Sequence, residues 1–308
     1  MYPRLSACVS RGPLSLYSEM NILGQDNVKK FLESRLGNLP STMLFCGPEG
    51  TGKINTAREL ARVLGYDFQA VCPDGDSYKV RQIREVLDKY RKSSKIVFAI
   101  EDADKLHGSA SSLLLKTLED PKLEVVFILT AKEYAQVSYT LYSRCVTLEF
   151  NTLDESTIRE YLQSTHKVWN DDYAKISNGS LKLADSVAAG DFLIKRNQVW
   201  SFLSEIKYLN EDNLSVPDYF KSNTEDFCSI ALNLLYDILK VIKAQDELVV
   251  NVDLMDEFRS WLERYSFDYA IFAVICFREL FKNSSSFYNK DLHLKTLLLK
   301  LKLGSVPI

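Results

Sequence analysis

No run of apolar residues in this 308-residue chain approaches the length of a membrane span, so no segment of it reads as a transmembrane helix. Basic charge is not in excess either. Lys and Arg total 38 against 41 Asp and Glu, a net charge of −3. A protein that grips DNA alone through many phosphates carries a strong basic surplus. Any DNA contact is therefore expected to be local or supplied by partners. Histidine is scarce. His107, His166 and His293 stand far apart, and no nucleophile–histidine pattern accompanies them, so no hydrolase or protease constellation is visible. Cysteine is present but unorganised: none of the six forms a C-x-x-C pair, and several sit in apolar runs where the thiol acts as a small hydrophobe. A disulfide framework and a zinc site are both unexpected, and a reducing, cytoplasmic setting is expected. No internal repeat and no low-complexity run appears.

What is present suits two or three modest domains, since 46% apolar and 26% charged residues are ordinary for chains that bury real cores. Residues 1–19 hold Arg4, Arg11, two prolines and several serines, with no acid before Glu19 and no uninterrupted apolar core of a secretory signal. They are expected to form a disordered extension, with Met20 opening the folded part. An amphipathic stretch over Asn21–Leu39 carries Val28, Phe31, Leu32 and Leu36 at helical spacing, ahead of Pro40. Strand-like apolar runs then alternate with helical patterns. The strands are expected at Met43–Cys46, Phe68–Cys72, Ile96–Ile100, Glu124–Leu129 and Val146–Phe150. The helices between them fall at Lys53–Leu64, Val80–Tyr90 and Ser109–Leu118. Five alternations predict a doubly wound parallel sheet, whose ligands bind beyond the carboxyl ends of its strands. After Asn151 the strand signals stop. Leu153–Leu162, with Asp154 placed at its first turn, is followed by Asp172–Ser177 and Ser180–Ala189, separated by an Asn178-Gly179 stop. Beyond these, Leu193–Leu209, Thr224–Ala244, Leu254–Arg264, Tyr269–Phe281 and Asp291–Leu303 all read as helices.

The sharpest motif is Gly47-Pro48-Glu49-Gly50-Thr51-Gly52-Lys53-Ile54, which follows a strand and opens a helix. Gly47, Gly50 and Gly52 let backbone N–H groups curl around a phosphate, and the helix N-terminus adds partial positive charge. Lys53 would reach the outer phosphates. The eighth position of such a loop normally supplies a Ser or Thr hydroxyl to Mg²⁺, and here it is Ile54. Thr56 stands two residues further on, about 200° around the helix, and points elsewhere. At the end of the third strand, Glu101 and Asp102 stand where phosphoryl-transfer sites place carboxylates for Mg²⁺ and for the attacking water.

Three further runs carry a resemblance. Leu114-Leu115-Lys116-Thr117-Leu118-Glu119-Asp120-Pro121 is similar to an "LLK-x-LEEP" run, Ser143-Arg144-Cys145 to an "SRC" motif, and Leu23-Gly24-Gln25 to a "GQ" element beside an adenine pocket. Together, and in this order, they resemble the clamp-loader subunits of bacterial DNA polymerase III, members of the AAA+ family. That resemblance implies an AAA+ P-loop α/β domain at 20–150, a small helical lid at 151–190 and a helical collar for oligomerisation at 191–308. The run from Asn289 to Leu301 and Leu234-Leu235-Tyr236-Asp237-Ile238-Leu239 are similar to collar helices.

The resemblance further implies that Arg144 is an arginine finger serving the nucleotide site of a neighbouring subunit, and that Thr130 takes the sensor 1 position. Lys182 falls in the sensor 2 region, where active subunits have arginine. Active family members also order their acids Asp then Glu. The reversed Glu101–Asp102 shifts both carboxylates by about one methylene, and a misplacement of about 1 Å costs on the order of 100-fold in rate. The zinc module of many relatives is missing, since Gly65–Val71 leads straight into the second strand and Cys72 stands alone. The implied protein is a stator-like subunit with a vestigial nucleotide site that holds ATP or ADP weakly or not at all, and no zinc. Its implied partners are gamma/tau and delta subunits, and through them a sliding clamp and primer-template DNA. Two other readings stand beside it: an active gamma-type clamp-loader ATPase, and a AAA+ protein outside replication.

Overall fold

The computed structural model describes the backbone of residues 9–10 and residues 20–92, 94–119, 122, 124–206, 223–283 and 290–304. The chain divides into two compact units, one of Met1–Tyr161 with Gly179–Lys182, the other of Leu162–Asn178 with Leu183–Ile308. The segment expected as a lid, 151–190, is therefore shared between the two.

The first unit holds a five-stranded, all-parallel sheet. After a short strand pair, β1 (Val9–Ser10) with β2 (Asn38–Leu39), its strands are β3 (Thr42–Cys46), β4 (Asp67–Val71), β5 (Ile96–Ile100), β6 (Val125–Ala131) and β7 (Val146–Glu149). They lie in the order β4-β5-β6-β3-β7. Every residue of β3, β5 and β6 is buried, while the edge strands β4 and β7 are partly exposed. This is the burial expected of a parallel sheet covered on both faces.

The period of two then sorts the side chains. Met43 and Phe45 join a core with Val28 and Leu32 of α1 (Asp26–Ser34) and Ala57, Leu60 and Ala61 of α2 (Lys53–Leu64). Leu44 and Cys46 join the opposite core, with Ile83 and Val86 of α3 (Val80–Lys92) and Leu114 and Leu118 of α4 (Gly108–Glu119). α5 (Tyr139–Tyr142) is a single turn before β7. At α6 (Glu155–Thr165), Asp154 Oδ1 accepts from the backbone N–H of Thr157 at 2.7 Å, the capping role its position suggested.

The second unit is helical: α7 (Asp171–Ile176), most of α8 (Leu181–Ala188), α9 (Asp191–Glu205), α10 (Thr224–Ile242), α11 (Met255–Arg264), α12 (Phe267–Asn283) and α13 (Lys290–Leu303). Trp261, Phe227, Phe258 and Phe277 fill its core. A buried polar network crosses it. Asp237, on α10 and 1% exposed, accepts from the backbone N–H groups of Val250 at 3.1 Å and Asn251 at 2.8 Å, from the Asn251 amide at 2.8 Å and from Lys240 at 2.7 Å. Asn251 Oδ1 accepts from Arg196, whose two terminal nitrogens grip Asp253 at 2.7 and 2.6 Å.

Several expected boundaries move. The stretch read as helical to Leu39 stops at Ser34, and Asn38–Leu39 turn extended to pair with Val9–Ser10. Those two residues belong to the 1–19 stretch expected to be disordered; the rest of that stretch lies outside the described residues. β6 runs to Ala131, so Thr130 lies within the strand rather than after it. The last residues of the helix expected over Leu193–Leu209 also lie outside the described residues. The helical periodicity of Val28, Leu32 and Leu36 persists past the point where the chain must straighten to enter the sheet.

Removing Asp237 leaves two backbone donors and an amide without their acceptor. Asp237→Ala is expected to lower unfolding free energy by about 3–5 kcal/mol. Arg259→Ala, which breaks only exposed pairs to Asp246 and Asp256, should cost less than about 1 kcal/mol. Urea denaturation of both variants checks the contrast.

Candidate functional site

The loop between β3 and α2 starts where three strand ends meet. Gly47 N–H donates to Ala131 O at the end of β6 (3.1 Å), and Phe150 N–H, just past β7, donates to Cys46 O (2.6 Å). Gly47 has φ +149°, and a Cβ there would lie 2.1 Å from the Phe150 carbonyl oxygen. Only glycine fits. Gly50 (φ +77°) is equally constrained: its Cβ would sit 1.9 Å from Ser180 Oγ, and its carbonyl accepts from Leu181 N–H at 2.8 Å. Gly52 takes the left-handed conformation and begins α2. Gln25, buried, exchanges hydrogen bonds with the Asn151 backbone (2.7 and 3.1 Å) and donates to Thr51 O at 3.4 Å, tying the loop to the exit of β7.

Lys53 Nζ donates to the Gly47 and Pro48 carbonyls, both at 2.6 Å. Burial pulls its pKa below the usual lysine value, opposed chiefly by the Glu49 carboxylate. Glu49 is itself flanked by cations, with Lys182 Nζ 2.5 Å from Oε1 and Lys132 Nζ 3.6 Å from Oε2. The Lys182 hydrogen bond holds the Glu49 pKa below the usual carboxylate value. Ile54 packs against the apolar core beside α2, and Thr56 is buried.

The two acids after β5 diverge. Glu101 Oε1 accepts from the Cys72 thiol at 3.2 Å, across from the end of β4. Asp102 takes a left-handed backbone, φ +46°, and pairs with Lys105 at 3.1 Å; its charge also acts on Lys53. Thr130 is buried in β6 opposite Phe45. The loop, Thr130, Asp102 and Lys182 are thus gathered at the carboxyl ends of the central strands. Glu101 is turned toward Cys72. Arg144 bonds elsewhere: its guanidinium meets Glu119 Oε1 at 2.7 Å and Thr140 O at 2.8 Å, and it is partly exposed.

These residues fit phosphate and do not fit its metal. The glycines, the helix start and the lysines make an anion cradle. The customary hydroxyl is replaced by a packed Ile54, and Glu101 is engaged by a thiol. Sequence reasoning missed Glu49, Lys132 and Cys72 as participants. An acid inside a glycine-rich phosphate loop was a visible signal for the first; nothing local marked the other two.

Cys72 is exposed, yet burial of its sulfur and the Glu101 carboxylate push its pKa up to about 11. At pH 8 little of it is thiolate, so alkylation should be slow for an accessible cysteine. Glu101→Ala removes the acceptor and the negative charge, which lowers that pKa and should speed labelling several-fold. Peptide mass spectrometry of the Cys72 segment over time reads the rate.

Residues 65–154 match the family described as DNA polymerase III, delta subunit. That span holds Glu101, Asp102, Thr130 and Arg144 and leaves out the loop at 47–53. The tau subunit of DNA polymerase III from Bacillus subtilis is 25% identical over 282 residues, 79% of this chain and 49% of the relative. The delta-prime subunit from the same organism is 30% identical over 175 residues, 47% of this chain and 53% of the relative. The chain spans about half the length of these two relatives. In fold, it is similar to a DNA polymerase III gamma-subunit-related protein from Thermotoga maritima, with a TM-score of 0.51 at 15% identity over 91% of this chain and 99% of that one. The chain is thus similar in sequence to subunits of DNA polymerase III and is built on a five-stranded parallel sheet followed by a helical region, a fold it shares with the gamma-subunit-related protein.

Proposed function

We propose that the chain works as a stator-like clamp-loader subunit of the delta-prime type. In this role it keeps a vestigial phosphate loop and presents Arg144 to the nucleotide site of a neighbouring subunit. The observation that carries the reading is Ile54. The position that would offer Mg²⁺ a hydroxyl is given over to packing against the core, so this loop lacks the charge stabilisation that phosphoryl transfer needs. On this reading ATP or ADP is held weakly or not at all, zinc plays no part, and no hydrolytic step is assigned to this site.

Arg144 suits the complementary role. Its charge is permanent and its planar fork matches phosphate oxygens. Its pair with Glu119 is open to solvent, with the two side chains 34% and 57% exposed, so leaving it costs less than about 1 kcal/mol. The proposed partners are gamma/tau and delta subunits in a reducing cytoplasm. A sliding clamp and primed DNA are engaged through the assembly, in keeping with the net charge of −3.

A second reading, an active gamma-type ATPase, is favoured by one fact: the tau relative aligns with 79% of the chain and the delta-prime relative with 47%. Steady-state ATPase of the complex reconstituted with gamma and delta subunits separates the two. An arginine finger is worth roughly 10³–10⁵ in turnover at the site it serves. Arg144→Ala should therefore silence one site and slow the complex, while Lys53→Ala leaves it unchanged. A larger loss with Lys53→Ala would reject the stator reading in favour of a working site.

A further inference from the structure

The lysines around the phosphate loop are already engaged by the loop itself. Lys182 reaches it because the 180–182 segment lies on Gly50: Leu181 N–H donates to Gly50 O at 2.8 Å, and no Cβ fits between Gly50 and Ser180. That seating brings Lys182 Nζ to 2.5 Å from Glu49 Oε1. From the other side Lys132, the first residue after β6, stands 3.6 Å from Glu49 Oε2. Lys53 bends back onto the Gly47 and Pro48 carbonyls. One carboxylate, between the first and second glycines of the cradle, therefore bridges two ammonium groups, while the third is turned to the loop carbonyls.

We propose that Glu49 is a built-in counter-ion that closes the loop against nucleotide, its carboxylate occupying Lys182 and Lys132 where a phosphate would otherwise bind. The inference rests on the phosphate-loop reading above and adds to the loss of the metal ligand a second and independent cause of weak nucleotide binding.

The physical argument is one of competition. A polyphosphate entering the cradle brings several negative charges next to Glu49 and seeks the same donors. It binds only if the carboxylate swings out, leaving its lysines and adding repulsion until it is solvated. Glu49 can leave, since its side chain is 56% exposed and those of Lys182 and Lys132 are 74% and 61% exposed. Solvent screening keeps such pairs weak, so the block is partial, and relieving it should tighten binding by about 5- to 10-fold. Glu49→Gln keeps the shape and the hydrogen-bonding capacity and removes the charge.

The test is isothermal titration of the full chain with ADP. It compares wild type, Glu49→Gln, and Glu133→Gln as a control that removes one exposed charge near the same strand end. Thermal melting confirms that each variant is folded. The expected result is an affinity at least 5-fold tighter for Glu49→Gln than for both wild type and the control, with the gain abolished when Lys182→Ala is added. Equal or weaker binding by Glu49→Gln overturns the proposal, as does the absence of detectable binding at millimolar ADP, because the carboxylate is then not what shuts the cradle. A gain that survives Lys53→Ala places the ADP outside the loop, which removes the phosphate-loop reading and this proposal together. The ATPase of the reconstituted complex tests the role of Arg144 separately and is untouched by that outcome.

Discussion

Everything at the carboxyl edge of the sheet depends on one close approach, that of the Phe150 carbonyl to Gly47. β3 is flanked by β6 and β7, and its last residue and the glycine after it are hydrogen-bonded to both neighbours, through Gly47 N–H to Ala131 and Phe150 N–H to Cys46. With the carbonyl pressed to within 2.1 Å of where a Cβ would be, the loop has a single way out of the sheet. Gln25 then fixes the loop's far side to Asn151. The cradle is consequently a product of sheet geometry, and its shape is set before any charge is considered.

Charge decides what that shape can do. Glycine loops at helix starts attract anions, and here the chain supplies an anion of its own at position 49. The two acids that would manage a metal are pulled apart, Glu101 by a thiol and Asp102 by Lys105. The exposed Arg144 is parked on Glu119 by a bond weak enough to exchange. Arg144 is thus a cation held loosely at the surface, and the glycine loop carries an apolar side chain, Ile54, where a hydroxyl is customary.

The helical unit is built on a different rule. Its aromatic core would tolerate sliding, but the Asp237–Asn251–Arg196–Asp253 network pins α9, α10 and the 246–254 connection in one arrangement. Buried polar groups are costly unless fully paired, so this network specifies geometry more than it adds stability.

The sequence by itself determined the local features. Continuous apolar runs gave strands buried on both faces, and the glycine pattern after β3 gave the loop. Ile54 announced the missing hydroxyl, and Asp154 announced its own cap. Each rests on neighbours within a few residues, where backbone conformation and side-chain periodicity act directly. The halt of α1 at Ser34 was not legible, because its apolar spacing continues while the chain must straighten into the sheet. The tertiary structure alone decided the pairings that give the site its character: Glu49 with Lys182, 133 residues apart, Glu101 with Cys72, 29 apart, and Arg144 with Glu119, 25 apart. Glu101 meets Cys72 because β4 and β5 pair side by side, whereas Lys132 comes near Glu49 because β3 inserts beside β6, and no local pattern encodes that insertion.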